Sequence, residues 1–124
     1  QNFVKNRANH EKVMKFLIEY YNSNLKEFSD NQEKYIKQII FYMLTTHYYI
    51  YCYYGKTEKN KLYKEVKNFD KYLKNVNSEL YNMMNKIGII RYNRKTNFNF
   101  VKINPYLFSK IINRCGRLVK GKEE

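Results

Sequence analysis

The sequence predicts a single, mostly α-helical domain with a small β-hairpin in its last third. Three observations carry that prediction. Apolar residues recur every three or four positions through three stretches between Val13 and Phe69, the period of helices that each bury one stripe. Ser78 to Gly88 has the form of a capped helix with a glycine stop. Beyond it, Ile89-Ile90 and the set Phe98, Phe100, Val101 and Ile103 flank the polar, basic run Asn93-Arg94-Lys95-Thr96-Asn97, the pattern of two strands joined by a turn.

Segment 1–28 is expected to hold the N-terminal helix. Asn9 is its candidate cap, Val13, Phe16, Leu17, Tyr20 and Tyr21 its apolar stripe, and the Asn22-Ser23-Asn24 cluster its end. Segment 29–55 is the central helix. Ser29 and Gln32 have the spacing of a capping box, and Tyr35, Ile36, Ile39, Ile40, Met43, Leu44, His47, Tyr48 and Tyr51 keep a helical period up to Gly55. A helix apolar on more than one face belongs at the centre of a domain or in the seam of a dimer.

Segment 57–104 is predicted to contain a helix-turn-helix and the hairpin. Thr57-Glu58 opens a third helix, with Leu62, Tyr63, Val66 and Phe69 inward and Lys59, Lys61, Lys64 and Lys67 outward. Lys71 to Val76 either continues that helix or forms the turn. Asn77 or Ser78 caps the next helix, whose core side carries Leu80, Met83, Met84 and Ile87. In segment 105–119, Pro105 suits the first turn of a last helix, and Tyr106, Leu107, Phe108, Ile111, Ile112 and Leu118 make one apolar side; Lys120 to Glu124 is expected to fray. With no internal repeat and no Pro-, Gly- or Ser-rich linker, residues 1–124 read as one domain.

Charge narrows the function classes. The chain has 24 Lys and Arg against 11 Asp and Glu, a formal charge of +13, and such an excess points to a polyanionic partner. AT-rich coding accounts for Lys in place of Arg, but not for the shortage of acids. The 14 Tyr and 8 Phe fall mostly within helical patterns, so most are assigned to the core or its edge. Cys52 and Cys115 lack the spacing of a disulfide scaffold or a zinc site, which suggests a reduced, cytoplasmic setting. His10 and His47 are far apart in sequence and are expected at the surface or the core edge. The apolar run Ile39 to Tyr54 is too short and too polar for a membrane span, and no signal-type leader opens the chain.

No phosphate loop, dinucleotide fingerprint or nucleophile elbow is present. The carboxylates are scattered among lysines, so no catalytic residue, metal or cofactor is assigned and the chain is not expected to be an enzyme. Binding chemistry is better represented. Asn75, Asn77, Ser78, Tyr81, Asn82 and Asn85 offer amide, hydroxyl and phenol groups along one helix, the groups that read base edges in a major groove. Arg91, Arg94, Lys95 and Asn97 surround the predicted hairpin tip, where cations grip phosphates or enter a minor groove. Lys59, Lys61, Lys64, Lys67, Lys71 and Lys74 form a candidate phosphate belt.

From about Leu62 to Phe108 the chain resembles the winged helix-turn-helix DNA-binding proteins, through SELYNMMNKIGIIRYNRKTNFNFVKINP at 78–105. Its end, Ile103-Asn104-Pro105-Tyr106-Leu107-Phe108, is similar to the segment beyond the wing in small plasmid replication proteins of low-GC Gram-positive bacteria. The wider layout is similar to the centromere-binding adaptors of plasmid and phage partition systems. The resemblance implies double-stranded DNA as partner, a homodimer, and a role in replicon maintenance or transcriptional repression. Two other classes remain: a helical module with a tyrosine-rich groove for a protein partner, and an RNA-binding module that stacks bases on Tyr and Phe.

Overall fold

Helix is the only regular structure among the described residues. The computed structural model describes residues 2–55, 57–103 and 114. Within them run α1 (Asn2–Lys5), α2 (Arg7–Asn24), α3 (Asp30–Cys52), α4 (Lys59–Val76), α5 (Ser78–Met83) and α6 (Gly88–Lys95), with 3-10 turns at Leu25–Glu27, Met84–Lys86 and Asn99–Lys102. Apart from Arg114, the predicted last helix at 105–119, the frayed tail and Cys115 lie outside the described residues.

Local chemistry sets several boundaries. The Ser29 hydroxyl accepts from the Gln32 N–H at 3.2 Å and the Ser29 N–H donates to the Gln32 side chain at 3.0 Å, so the capping box forms and launches α3. Helix α2 ends at Asn24, within the predicted cluster. It begins earlier than expected, after Asn6, leaving Asn9 inside the helix rather than at its cap. Lys71 to Val76 continues α4. Asn77 then caps α5, its side chain accepting from the Leu80 N–H at 3.0 Å. At the corner between α3 and α4, a Cβ on Gly55 would lie 2.6 Å from Leu62 Cδ1 and 3.3 Å from the Tyr51 carbonyl oxygen, so a larger residue at this buried position requires Leu62 to shift.

One core joins all the longer helices. Met14, Ile18 and Tyr21 of α2 meet Ile40, Leu44, Tyr48 and Tyr51 of α3, while Leu62, Val66, Phe69 and Leu73 of α4 cover the other side. Leu80, Met84, Ile89, Ile90, Phe98 and Val101 close one end. Helix α3 packs against α1, α2, α4 and α6, yet Tyr35 and Ile39 of its apolar set are 66% and 40% exposed.

The winged helix-turn-helix and its β-hairpin are not formed. Ile89 and Ile90, read as the first strand, lie in α6, and Arg94 and Lys95, read as the hairpin tip, are its last turn. Phe98 to Ile103, read as the second strand, is built around the Asn99–Lys102 turn. The reason is visible in the burial pattern. Ile89, Ile90 and Asn93 are all buried, a spacing of one and four that a helix places on one side and a strand splits between two faces. Tertiary burial of the two isoleucines outweighs their preference for strand. Gly88 does not act as a left-handed exit either; it is the first residue of α6, and positive φ occurs instead at Glu58 (52°), Asn97 (54°) and Phe98 (59°).

Candidate nucleic-acid interface

Helix α4 carries the strongest basic surface. Leu62, Val66, Phe69 and Leu73 fix its inner side, so Asn60, Lys64, Lys67, Lys71 and Lys74, spaced by four and three, fall on the outer one. Lys61, Lys64, Lys71 and Lys74 are exposed, and Lys59 and Lys67 are half-buried. Between Lys61 and Lys74 the helix rises about 20 Å.

The acids of α4 are turned away from this surface. Glu65 takes a bidentate pair from Arg7, at 2.7 and 3.1 Å, and accepts the Tyr51 hydroxyl at 3.2 Å. Asp70 pairs with Arg94 at 3.0 Å and accepts the Tyr48 hydroxyl at 2.5 Å. No lysine of α4 forms an ion pair with a carboxylate among the described residues. The surface that reaches solvent is therefore an unneutralised row of ammonium groups with Asn60, Asn68 and Asn75 among them.

The residues predicted to read bases divide into two sets. Asn75, Ser78 and Asn82 are exposed and available. Asn77, Tyr81 and Asn85 are occupied within the fold. Asn77 caps α5 and donates to the Asn22 side chain at 2.8 Å. Tyr81 lies under the Arg94 guanidinium, 3.7 Å from ring centroid to Cζ, and its carbonyl accepts from Arg94 at 2.8 Å. Asn85 accepts from Arg94 through its side chain at 2.8 Å and from Arg91 through its carbonyl at 3.0 Å.

The wing residues are redistributed in the same way. The Arg94 side chain is 8% exposed, and Arg91 is half-buried; neither projects beyond the body. Lys95 and Asn97 are exposed on α6 and just after it, with Lys95 Nζ 5.3 Å from the Tyr92 ring. Among the phosphate-belt residues, Lys59 donates to the Ile103 carbonyl, Lys67 to the Tyr63 hydroxyl at 3.0 Å, and Lys74 lies 5.6 Å from the Tyr81 ring.

Two clusters escape sequence reasoning. The first joins the buried Tyr48 to the half-buried Asp70 and Arg94, from three helices; burial, then the Asp70 charge, pushes the Tyr48 phenol well up. The second joins His10 and His47, expected to stand apart. Their Nδ1 atoms are 2.9 Å apart, and His47, fully buried, has Nε2 3.4 Å from the Glu11 carboxylate. Burial, then the His47 ring, holds His10 below its ordinary value. Each pairing crosses 22 residues or more, so no local spacing announces it. Cys52 is buried, and desolvation pushes its thiol far up, away from reactivity.

Among the described residues no group of three or more His, Cys, Asp and Glu is arranged to hold a metal ion. None of their helices is long and apolar enough to cross a membrane. No family model, curated protein or solved structure matches the chain.

Proposed function

We propose that this chain is a non-enzymatic protein that binds double-stranded DNA through the outer face of α4. The observation that carries the reading is the row Lys61, Lys64, Lys67, Lys71 and Lys74, from which the two carboxylates within α4, Glu65 and Asp70, are drawn away by Arg7 and Arg94. Such a row neutralises backbone phosphates and releases their counterions, the main source of affinity for duplex DNA. Asn75, Ser78 and Asn82 stand exposed on or just beyond the C-terminal end of that row and supply groups able to meet base edges. The replicon roles implied by resemblance drew on the order of helix and wing; without a wing, the proposal is confined to DNA binding.

The deciding experiment is binding to a mixed pool of duplexes across a salt series, with sequencing of the duplexes that stay bound at higher salt. A steep fall of affinity with salt is expected. A folded chain that leaves duplex DNA unbound at low salt overturns the reading, and one enriched motif extends it to sequence specificity.

A second reading, a module for a protein partner or a second copy, is favoured by a separate surface. Val13, Phe16 and Tyr20 of α2 are 50%, 68% and 48% exposed, and Tyr35, Ile39 and Tyr42 of α3 are 66%, 40% and 64% exposed. These are two apolar stripes at helical spacing on antiparallel neighbours, larger than scattered surface residues make. Sedimentation of the chain alone tests for the homodimer: a monomer at all concentrations leaves these stripes to another protein.

A further inference from the structure

We propose that Tyr63, Lys67 and Lys102 together seat one phosphate group of the nucleic-acid backbone, a site that rests on the DNA-binding reading and gives it a fixed anchor point. The three come from distant parts of the chain. Tyr63 and Lys67 are one turn apart on α4, where the Lys67 ammonium donates to the Tyr63 hydroxyl at 3.0 Å. Lys102 arrives from the Asn99–Lys102 turn, and its ammonium lies 4.1 Å from the centre of the same ring.

Unusual backbone brings Lys102 there. Asn97 and Phe98 both hold positive φ, 54° and 59°; asparagine adopts this conformation readily, whereas phenylalanine keeps it only where surroundings enforce it. The buried Phe98 and Val101 side chains supply that enforcement, and Lys59 ties the turn to the start of α4 through the Ile103 carbonyl. The reversal folds the turn back over α4 and adds a second cation beside Tyr63.

This arrangement lacks the group that would balance it. Neither Lys67 nor Lys102 pairs with a carboxylate among the described residues. The Tyr63 oxygen accepts from Lys67, and its own O–H has no acceptor among the described residues. The Lys67 hydrogen bond first, and Lys102 with it, draw the Tyr63 phenol below its ordinary value, as expected where the local potential is positive. Two ammonium groups and a phenol O–H offer charge-assisted donors to a tetrahedral anion. A phosphodiester is the matching chemistry on a chain of charge +13.

The shared seat has an uncommon arithmetic consequence: two lysines serve one phosphate. In duplex-DNA binding across a salt series, K67Q/K102Q should reduce the slope of log affinity against log salt by about 0.9, the increment of a single contact. The control K64Q/K71Q, lysines without a shared partner, should reduce it by about 1.8. Tyr63→Phe should weaken binding about fivefold, the effect of one hydrogen bond, without changing the slope. A loss of two contacts or of none in K67Q/K102Q overturns the shared seat, as does full affinity in Tyr63→Phe. If the wild-type chain leaves DNA unbound, the DNA reading fails by itself. Titration with inorganic phosphate at constant ionic strength then judges the seat: a shift of the Tyr63 ring resonances that K67Q/K102Q abolishes sustains it, and no shift overturns it.

Discussion

Arg94 reaches across the fold to Asp70, its Nε and Nη2 atoms each 3.0 Å from the same carboxylate oxygen. That oxygen also accepts the Tyr48 hydroxyl, and Arg94 donates further to the Tyr81 carbonyl, the Asn85 side chain and the Tyr48 hydroxyl oxygen. Side chains 8% and 13% exposed make this a nearly dry pair, which locks α3, α4 and α6 together.

Arg94→Ala should therefore destabilise the fold by about 3 kcal/mol, because Asp70 is left buried without its cation. Thermal unfolding should show this as a fall of roughly 10 °C. Lys95→Ala, one residue on and exposed, should leave the midpoint unchanged. Equal midpoints for the two variants would dismiss the network.

Asn77→Ala separates capping from base reading. Loss of the side-chain bond to the Leu80 N–H and of the contact with Asn22 should cost about 1 kcal/mol in urea unfolding. Affinity for DNA at a temperature where the variant is folded should stay at the wild-type level. A normal stability with weakened, sequence-dependent binding would make Asn77 a reader instead.

The histidine pair gives stability a direction with pH. His10 is held below its ordinary value of 6.5 by burial and by His47, so below that pH the unfolded chain binds more protons than the folded one. Stability should be complete above about 6.5 and decline as pH falls. Glu11 is also held low, by the facing His47 ring first and with help from Lys15, against the opposing effect of burial; its contribution is lost in a lower window, from its ordinary 4.5 downward. Urea midpoints at pH 7.5 and 5.5 should differ less in His10→Gln than in the wild type. An unchanged difference assigns the decline to other groups.

Neutralising the α4 row at K64Q/K71Q/K74Q should lower the salt slope of DNA binding by roughly 2.7. All three side chains are exposed, so unfolding should not move. A slope equal to that of the wild type would place the interface elsewhere on the surface.

Helices are legible in the sequence where each signal is local. The Ser29–Gln32 capping box, the inward Leu62, Val66 and Phe69 of α4 and the Asn77 cap depend on groups within a few residues, although Tyr63, also read as inward, is only half-buried. The wing is a false reading because Ile-Ile, a basic turn and alternating phenylalanines satisfy a strand pattern equally well in isolation. Arg94 decides otherwise: a cation placed by sequence at a solvent-exposed tip has a carboxylate waiting 24 residues away, and α6 is the arrangement that delivers it.

By itself, then, the sequence determined a basic, helical chain, the Ser29 and Asn77 caps and the inner face of α4, because helical period and capping are properties of neighbouring residues. The stripe read on α2 is misplaced: Val13, Phe16 and Tyr20 are exposed, and Met14, Ile18 and Tyr21 are the residues that turn inward. Tertiary structure alone decided that Arg94 is internal, that His10 meets His47, and that Lys102 joins Lys67 at Tyr63. Those outcomes depend on burial and charge pairing between residues far apart in sequence, and these energies exist only once the helices have packed.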